Sequence, residues 1–88
     1  MVTANLLRRS GRSEPALALY AVASERATRP ATLAEAYYWR GRLAPSRAEA
    51  RAQLEAATAA DGGSWSELAR SRIALLELGR RPSGTKRG

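Results

Sequence analysis

Apolar residues return every three or four positions along most of the chain, and nowhere do apolar and polar residues alternate over a strand's length. The first spacing belongs to a helix with one covered side; the second, which is missing, belongs to a half-buried strand. With two valines, one isoleucine and no phenylalanine, the residues that favour a pleated surface are also scarce. The pattern predicts an all-α fold.

Start and stop signals divide the pattern into five helices. Ser46 with Glu49 and Ser64 with Glu67 have the capping-box spacing, in which the hydroxyl accepts the amide three residues on and the glutamate reaches back; Thr32 with Glu35 repeats it. Ser13 followed by Pro15 marks another start, because a proline's missing amide proton costs nothing in a first turn. Stops fall at Gly11, at Thr28 to Pro30, at Pro45, at Asp61-Gly62-Gly63 and at Gly79 before Pro82. The predicted helices therefore cover residues 3–10, 14–27, 33–44, 47–60 and 65–78.

Projection at about 100° per residue shows which face of each helix needs cover. In the third, Leu33, Ala36, Tyr37, Trp39, Gly41, Leu43 and Ala44 share an arc, with Glu35, Tyr38 and Arg42 opposite and Arg40 inside it. In the fifth, Trp65, Leu68, Ala69, Ile73, Leu75 and Leu76 form the arc and Arg72 falls within it. A buried guanidinium is costly without a partner, so Arg40 and Arg72 are expected to snorkel to the edge or to meet a glutamate such as Glu55. The fourth helix carries a small-residue seam, Ala50, Leu54 and Ala57, that admits a close neighbour. From Pro15 to Ala23 the second helix is apolar on every side, more than four neighbouring helices are expected to cover.

The 88 residues suffice for one small core, predicted over residues 1–79. The end, GRRPSGTKRG, has no large apolar side chain, and residues 80–88 are read as a disordered basic tail. The absence of cysteine and histidine removes disulfides and the usual transition-metal ligands, so no metal and no cofactor are expected. No apolar run has the roughly 18 residues of a membrane span, and MVTANLLRRS reaches arginine before a signal-peptide core can form. Read from Met1, the chain is expected to be cytoplasmic, although a piece of an envelope protein would read the same way. The arginine and alanine bias points to a GC-rich bacterial coding region.

The formal net charge is +7, but between Glu14 and Leu78 eight arginines face eight acids. The excess is Arg8, Arg9 and Arg12 near one end and Arg80, Arg81, Lys86 and Arg87 at the other. Charge at the ends alone matches a solubilising role at least as well as a polyanion site.

Two stretches share an order of features. AEAYYWRGRL, a turn and AEARAQLEAATAADGG read as a helix pair with Gly41 at the crossing and Ala, large, Ala at Ala50, Leu54 and Ala57. LLRRSGRSEPALALYAVA reads as the end of a first helix, a turn glycine (Gly11) and Ala16, Tyr20 and Ala23 at the same three places. SWSELARSRIALLEL follows as a lone first helix. This resembles the tetratricopeptide repeat over about residues 3–78. It departs from the family in the short turn at Ala44 to Arg47, the long link from Arg26 to Thr32, and arginine at positions 40 and 72. It has roughly two and a half repeats where an array normally has about three with polar caps, so a longer array or docking against a second copy is expected.

The resemblance implies a non-catalytic module that holds another protein or peptide in a groove lined by the first helices. Matched residue by residue, that groove offers Asn5, Arg8 and Arg9, then Tyr38 and Arg42, then Ala69, Ile73 and Leu76. An exposed Tyr38 beside Arg42 suits an acidic or aromatic peptide. The family's carboxylate clamp, built from lysines and asparagines, is not reproduced, since the sole lysine is Lys86. Catalysis is disfavoured: histidine and cysteine are absent, Glu35, Glu49 and Glu67 read as caps, and no glycine-rich phosphate loop follows a strand. The rival is a nucleic-acid binder using Arg8, Arg9, Arg12 and the basic tail on phosphates, with Tyr37, Tyr38 or Trp39 stacking on bases. Neither a helix-turn-helix nor a membrane anchor fits, because the fourth helix lacks an outward base-reading set and the basic ends lie off any apolar helix face.

Overall fold

The structure, a computed structural model, describes residues 2–60 and 63–80. Among them are five helices and no strand: α1 (Val2–Arg9), α2 (Ser13–Arg26), α3 (Pro30–Leu43), α4 (Arg47–Ala60) and α5 (Ser64–Arg80). The expected tail lies, from residue 81 on, outside the described residues, as do Asp61 and Gly62 of the glycine stop.

Local chemistry explains most boundaries. At the end of α1, Gly11 takes a φ of +82°, and its amide donates to the Arg8 carbonyl (3.1 Å) while that of Arg12 donates to the Leu7 carbonyl (2.8 Å). These are the two bonds of a Schellman stop, which needs a left-handed residue at that place. At the start of α4 the Ser46 hydroxyl accepts the Glu49 amide at 3.2 Å, as the capping spacing predicts. The third start is corrected. Helix α3 begins at Pro30, with Arg29 extended before it, and Thr32 lies inside the helix. Proline's fixed φ suits the first helical position, so Pro30 starts α3 here, whereas the sequence reading took it as a stop. The supposedly long link to Thr32 shrinks with it to residues 27–29. Helix α5 likewise runs past the expected stop at Gly79 to Arg80.

Each helix packs on its sequence neighbour, and α5 also reaches back to α3. The Ser66 hydroxyl, fully buried near the start of α5, donates to the Ala57 carbonyl at 3.1 Å near the end of α4. Arg51 near the start of α4 pairs with Glu77 near the end of α5, so these two helices run antiparallel. The result is a slab of 47 × 28 × 17 Å, about two helices deep in its thinnest direction.

The core has two parts. Ala4, Ala16 and Tyr20 form one, with Leu7 and Leu43 against it; Tyr38, Leu54, Ala57 and Ala69 form the other, with Tyr37, Trp65, Ile73 and Leu76 against it. Trp39 packs against both. The expected seam of α4 is buried in full, and the uncovered side of α2 is real, with Leu19 and Val22 exposed. On α5 the buried stripe is Ser66 and Ala69, continued by half-buried Ile73 and Leu76; Leu68 and Leu75, expected inside the arc, are exposed because α3 and α4 both press on the other side.

Gly41 is buried where α3 crosses α4. A Cβ there would stand 2.7 Å from Leu54 Cγ, 2.9 Å from Leu54 Cδ2 and 3.1 Å from the Ala50 carbonyl oxygen. Alanine normally gains about 1 kcal/mol over glycine within a helix, but overpacking a closed contact costs about 1–3 kcal/mol. Leu54 is only 2% exposed and has no room to withdraw. Gly41→Ala is expected to lower stability by about 1–2 kcal/mol in urea unfolding, and a stabilised variant would refute the close crossing.

Candidate functional site

The Schellman turn folds α2 back along α1, and this brings the Tyr20 hydroxyl between two side chains one turn apart on α1. Tyr20, fully buried, donates to Asn5 Oδ1 and accepts from Arg8 Nε at 3.1 Å. The Arg8 guanidinium then lies 3.7 Å from the centre of the Trp39 ring on α3. One turn further along α3, Arg42 lies 5.8 Å from the same ring, 5.7 Å from the Tyr38 ring, and donates to the Tyr38 hydroxyl at 2.9 Å. Trp39 is thus approached by two guanidiniums, one from each helix.

Below this face the aromatic rings are continuous. Trp39 stacks on Tyr20 at 6.3 Å between centroids, meets Tyr38 edge-on at 5.0 Å and Trp65 at 6.1 Å. Such contacts contribute about 0.5–1.5 kcal/mol each beyond the area they bury, and a cation over an indole adds about 0.5–2 kcal/mol according to its desolvation. Neither Arg8 nor Arg42 has a carboxylate within ion-pair distance among the described residues, where the pairs found join Arg51 to Glu55 and Glu77. The guanidiniums are held by rings and hydroxyls, which leaves their positive charge uncompensated.

Several expected roles change. Tyr38, expected to be exposed, is only 4% exposed. Projection set it opposite the apolar arc, but α3 is covered on more than one side, and α5 lies over the face that carries Tyr38. Ala69, on the inner side of α5, is fully buried, and Ile73 is half-buried against the Tyr38 part of the core. Asn5 and Arg8 do come together with Arg42 around Trp39, whereas Arg9 is exposed and makes none of these contacts. The glutamate proposed for Arg40 is taken by Arg51 at 3.0 Å; Arg40 donates to Ser24 Oγ at 2.9 Å and lies over Tyr37. Sequence reasoning gave Tyr20 and Trp39 to the core and missed their part in the network. The signal was the spacing: Arg8 and Arg42 are 34 residues apart, as are Asn5 and Trp39.

Chemically the face is suited to hold an anionic group against an aromatic floor. Among the described residues, no cluster of three or more histidine, cysteine, aspartate or glutamate side chains could hold a metal, and no helix is long and apolar enough to cross a membrane. Comparison with protein-family models, with curated proteins and with solved structures gives no match.

The network makes a direct prediction. Tyr20→Phe keeps the ring but leaves Asn5 Oδ1 and Arg8 Nε to water, for an expected loss of about 1 kcal/mol on chemical denaturation with a changed tryptophan emission as Arg8 leaves Trp39. Unaltered stability together with unaltered emission would show that the hydroxyl positions nothing.

Proposed function

We propose that this chain is a non-catalytic protein-interaction module of tetratricopeptide-like type that binds an acidic segment of a partner on the face around Trp39. Support for the repeat comes from the helix starts at residues 13, 30, 47 and 64, which are 17 apart, so a helix pair recurs every 34 residues. That is the tetratricopeptide period. The same offset relates Ala16, Tyr20 and Ala23 to Ala50, Leu54 and Ala57, and all six are buried or half-buried. The α3–α5 contact fits first helices that neighbour one another in such a stack.

The observation that carries the binding reading is that Arg8 and Arg42, one repeat apart, converge on a single indole without a carboxylate partner. A guanidinium whose planar face is already against a ring keeps its remaining edge donors for a carboxylate, and that is a preorganised arrangement for an aspartate or glutamate side chain. A glutamate-rich peptide with one aromatic residue, titrated while tryptophan fluorescence is followed, is expected to saturate. Arg42→Glu should weaken it at least about tenfold, in line with charge reversal at a direct contact. The nucleic-acid alternative makes the opposite forecast: no peptide binding, but oligothymidylate binding that falls steeply with salt and disappears when residues 81–88 are deleted. That outcome would overturn the proposal.

A further inference from the structure

Helix α2 has three apolar sides, and the described residues bury one. The side bearing Ala16, Tyr20 and Ser24 is buried. A second side, with Leu17, Ala18 and Ala21, faces α4 across an open groove of about 300 Å³ that Ala44 and Pro45 help to line. Helices α2 and α4 stay apart, with no Cα pair within 8 Å, so nothing in the chain closes this groove among the described residues. Its lining includes two exposed carboxylates, Glu14 and Glu49, neither ion-paired among the described residues, and one guanidinium, Arg40, which is held by Ser24 Oγ and the Tyr37 ring, so the carboxylates are in excess. It also includes Gln53, whose Oε1 is buried without a hydrogen-bond partner. A buried acceptor left unpaired is costly, so the groove favours an occupant that brings a donor.

The third side of α2 exposes Leu19 and Val22, and it continues over α1 with Val2 at 76% and Leu6 at 58% exposure. Helical spacing adds an exposed arginine to each stripe: Arg9 follows Val2 and Leu6, and Arg26 follows Leu19 and Val22. An apolar patch edged by two guanidiniums and an apolar groove edged by two carboxylates are complementary, and both belong to the same chain. Leu17 and Leu19 are about 200° apart around α2, so a molecule cannot place its own patch in its own groove.

We infer that a second copy of this chain fills the α2–α4 groove with its α1–α2 patch, setting Arg9 and Arg26 of one copy against Glu14 and Glu49 of the next. The contact is head-to-tail: each copy keeps a free groove at one end and a free patch at the other, so association continues beyond a dimer. It uses a different face from the peptide site around Trp39 and does not depend on that reading.

Sedimentation velocity of the full chain at rising concentration, with two charge-reversed variants at exposed positions, tests this. The wild type is expected to gain average mass with concentration without a plateau at the dimer. Glu14→Arg/Glu49→Arg and Arg9→Glu/Arg26→Glu should each stay monomeric, because groove and patch then carry like charge. An equimolar mixture of the two should regain wild-type behaviour, since each unlike contact is again complementary. Deleting residues 81–88 should change nothing. A wild type that stays monomeric, a mixture that stays monomeric, or loss of association on deleting 81–88 would each overturn the inference, the last by identifying the basic end of the chain as the occupant. Titrating Glu14→Arg/Glu49→Arg with the acidic peptide keeps the two readings separate: peptide binding retained without association supports both, whereas association intact in a wild type that binds no peptide removes the Trp39 reading alone.

Discussion

Trp39 joins what would otherwise be two small cores. Most fully buried side chains in this protein are alanines, which allow helices to approach closely but bring little apolar area. The area must come from a few large residues, and an aromatic side chain contributes about 150–250 Å² where a buried alanine contributes far less. Tyr20 sits in one part and Tyr38 in the other, and Trp39 stacks on the first and meets the second edge-on. Without that ring, α1 and α2 would hold α3 chiefly through Tyr20, Leu7, Leu43 and small residues. The need to keep one indole in contact on both sides explains why α3 is central, why its crossing with α4 requires Gly41, and why its two flanking arginines end over rings.

The electrostatics follow from the same crowding. In the chain from Glu14 to Leu78, positive and negative residues balance, yet the fold pairs only some of them, joining Arg51 to Glu55 and Glu77. Arg8, Arg40 and Arg42 are held by hydroxyls and aromatic faces, where a guanidinium loses little hydration and needs no acid. Glu14 and Glu49 line the α2–α4 groove, where the guanidinium they share it with, Arg40, is already held by Ser24 and Tyr37. A linear count of charge conceals this, because it weighs how many of each sign there are and not which ones share a face.

How much was legible in the chain depends on whether one helix or several decide the matter. The span of α4 follows from Ser46, Glu49 and the alanine seam, all local signals, and it is found at 47–60 as expected. The start of α3 was misplaced because two local signals competed, and a capping spacing at Thr32 lost to proline's preference for a first turn at Pro30. Tyr38 was misplaced for a different reason. A projection assumes one covered face, and α3 is touched by α2, α4 and α5. On its nominally polar side Tyr38 is therefore buried and Glu35 half-buried, while Arg42 is exposed and donates to the Tyr38 hydroxyl. Asn5 and Arg8 are neighbours by helical spacing on α1, whereas Arg42, on α3, was legible beside them only through the resemblance to a repeat.

On the proposed repeat reading, the Trp39 face varies along its length. Positions 8, 42 and 76 are equivalent at an offset of 34, and they hold arginine, arginine and leucine; positions 5, 39 and 73 hold asparagine, tryptophan and isoleucine. Arg42 and Leu76 line one hollow, and Ile73 packs against the Tyr38 part of the core, so these positions do converge in space. The surface thus runs from polar and cationic at α1, through an aromatic and cationic centre at α3, to the aliphatic Ile73 and Leu76 at α5, where Arg72 lines the same hollow. A uniformly acidic ligand would leave Ile73 and Leu76 without an apolar partner. A segment with carboxylates at one end and an apolar residue at the other would match all three helices at once, and because the gradient has a direction, only one orientation of such a segment places every group against its complement.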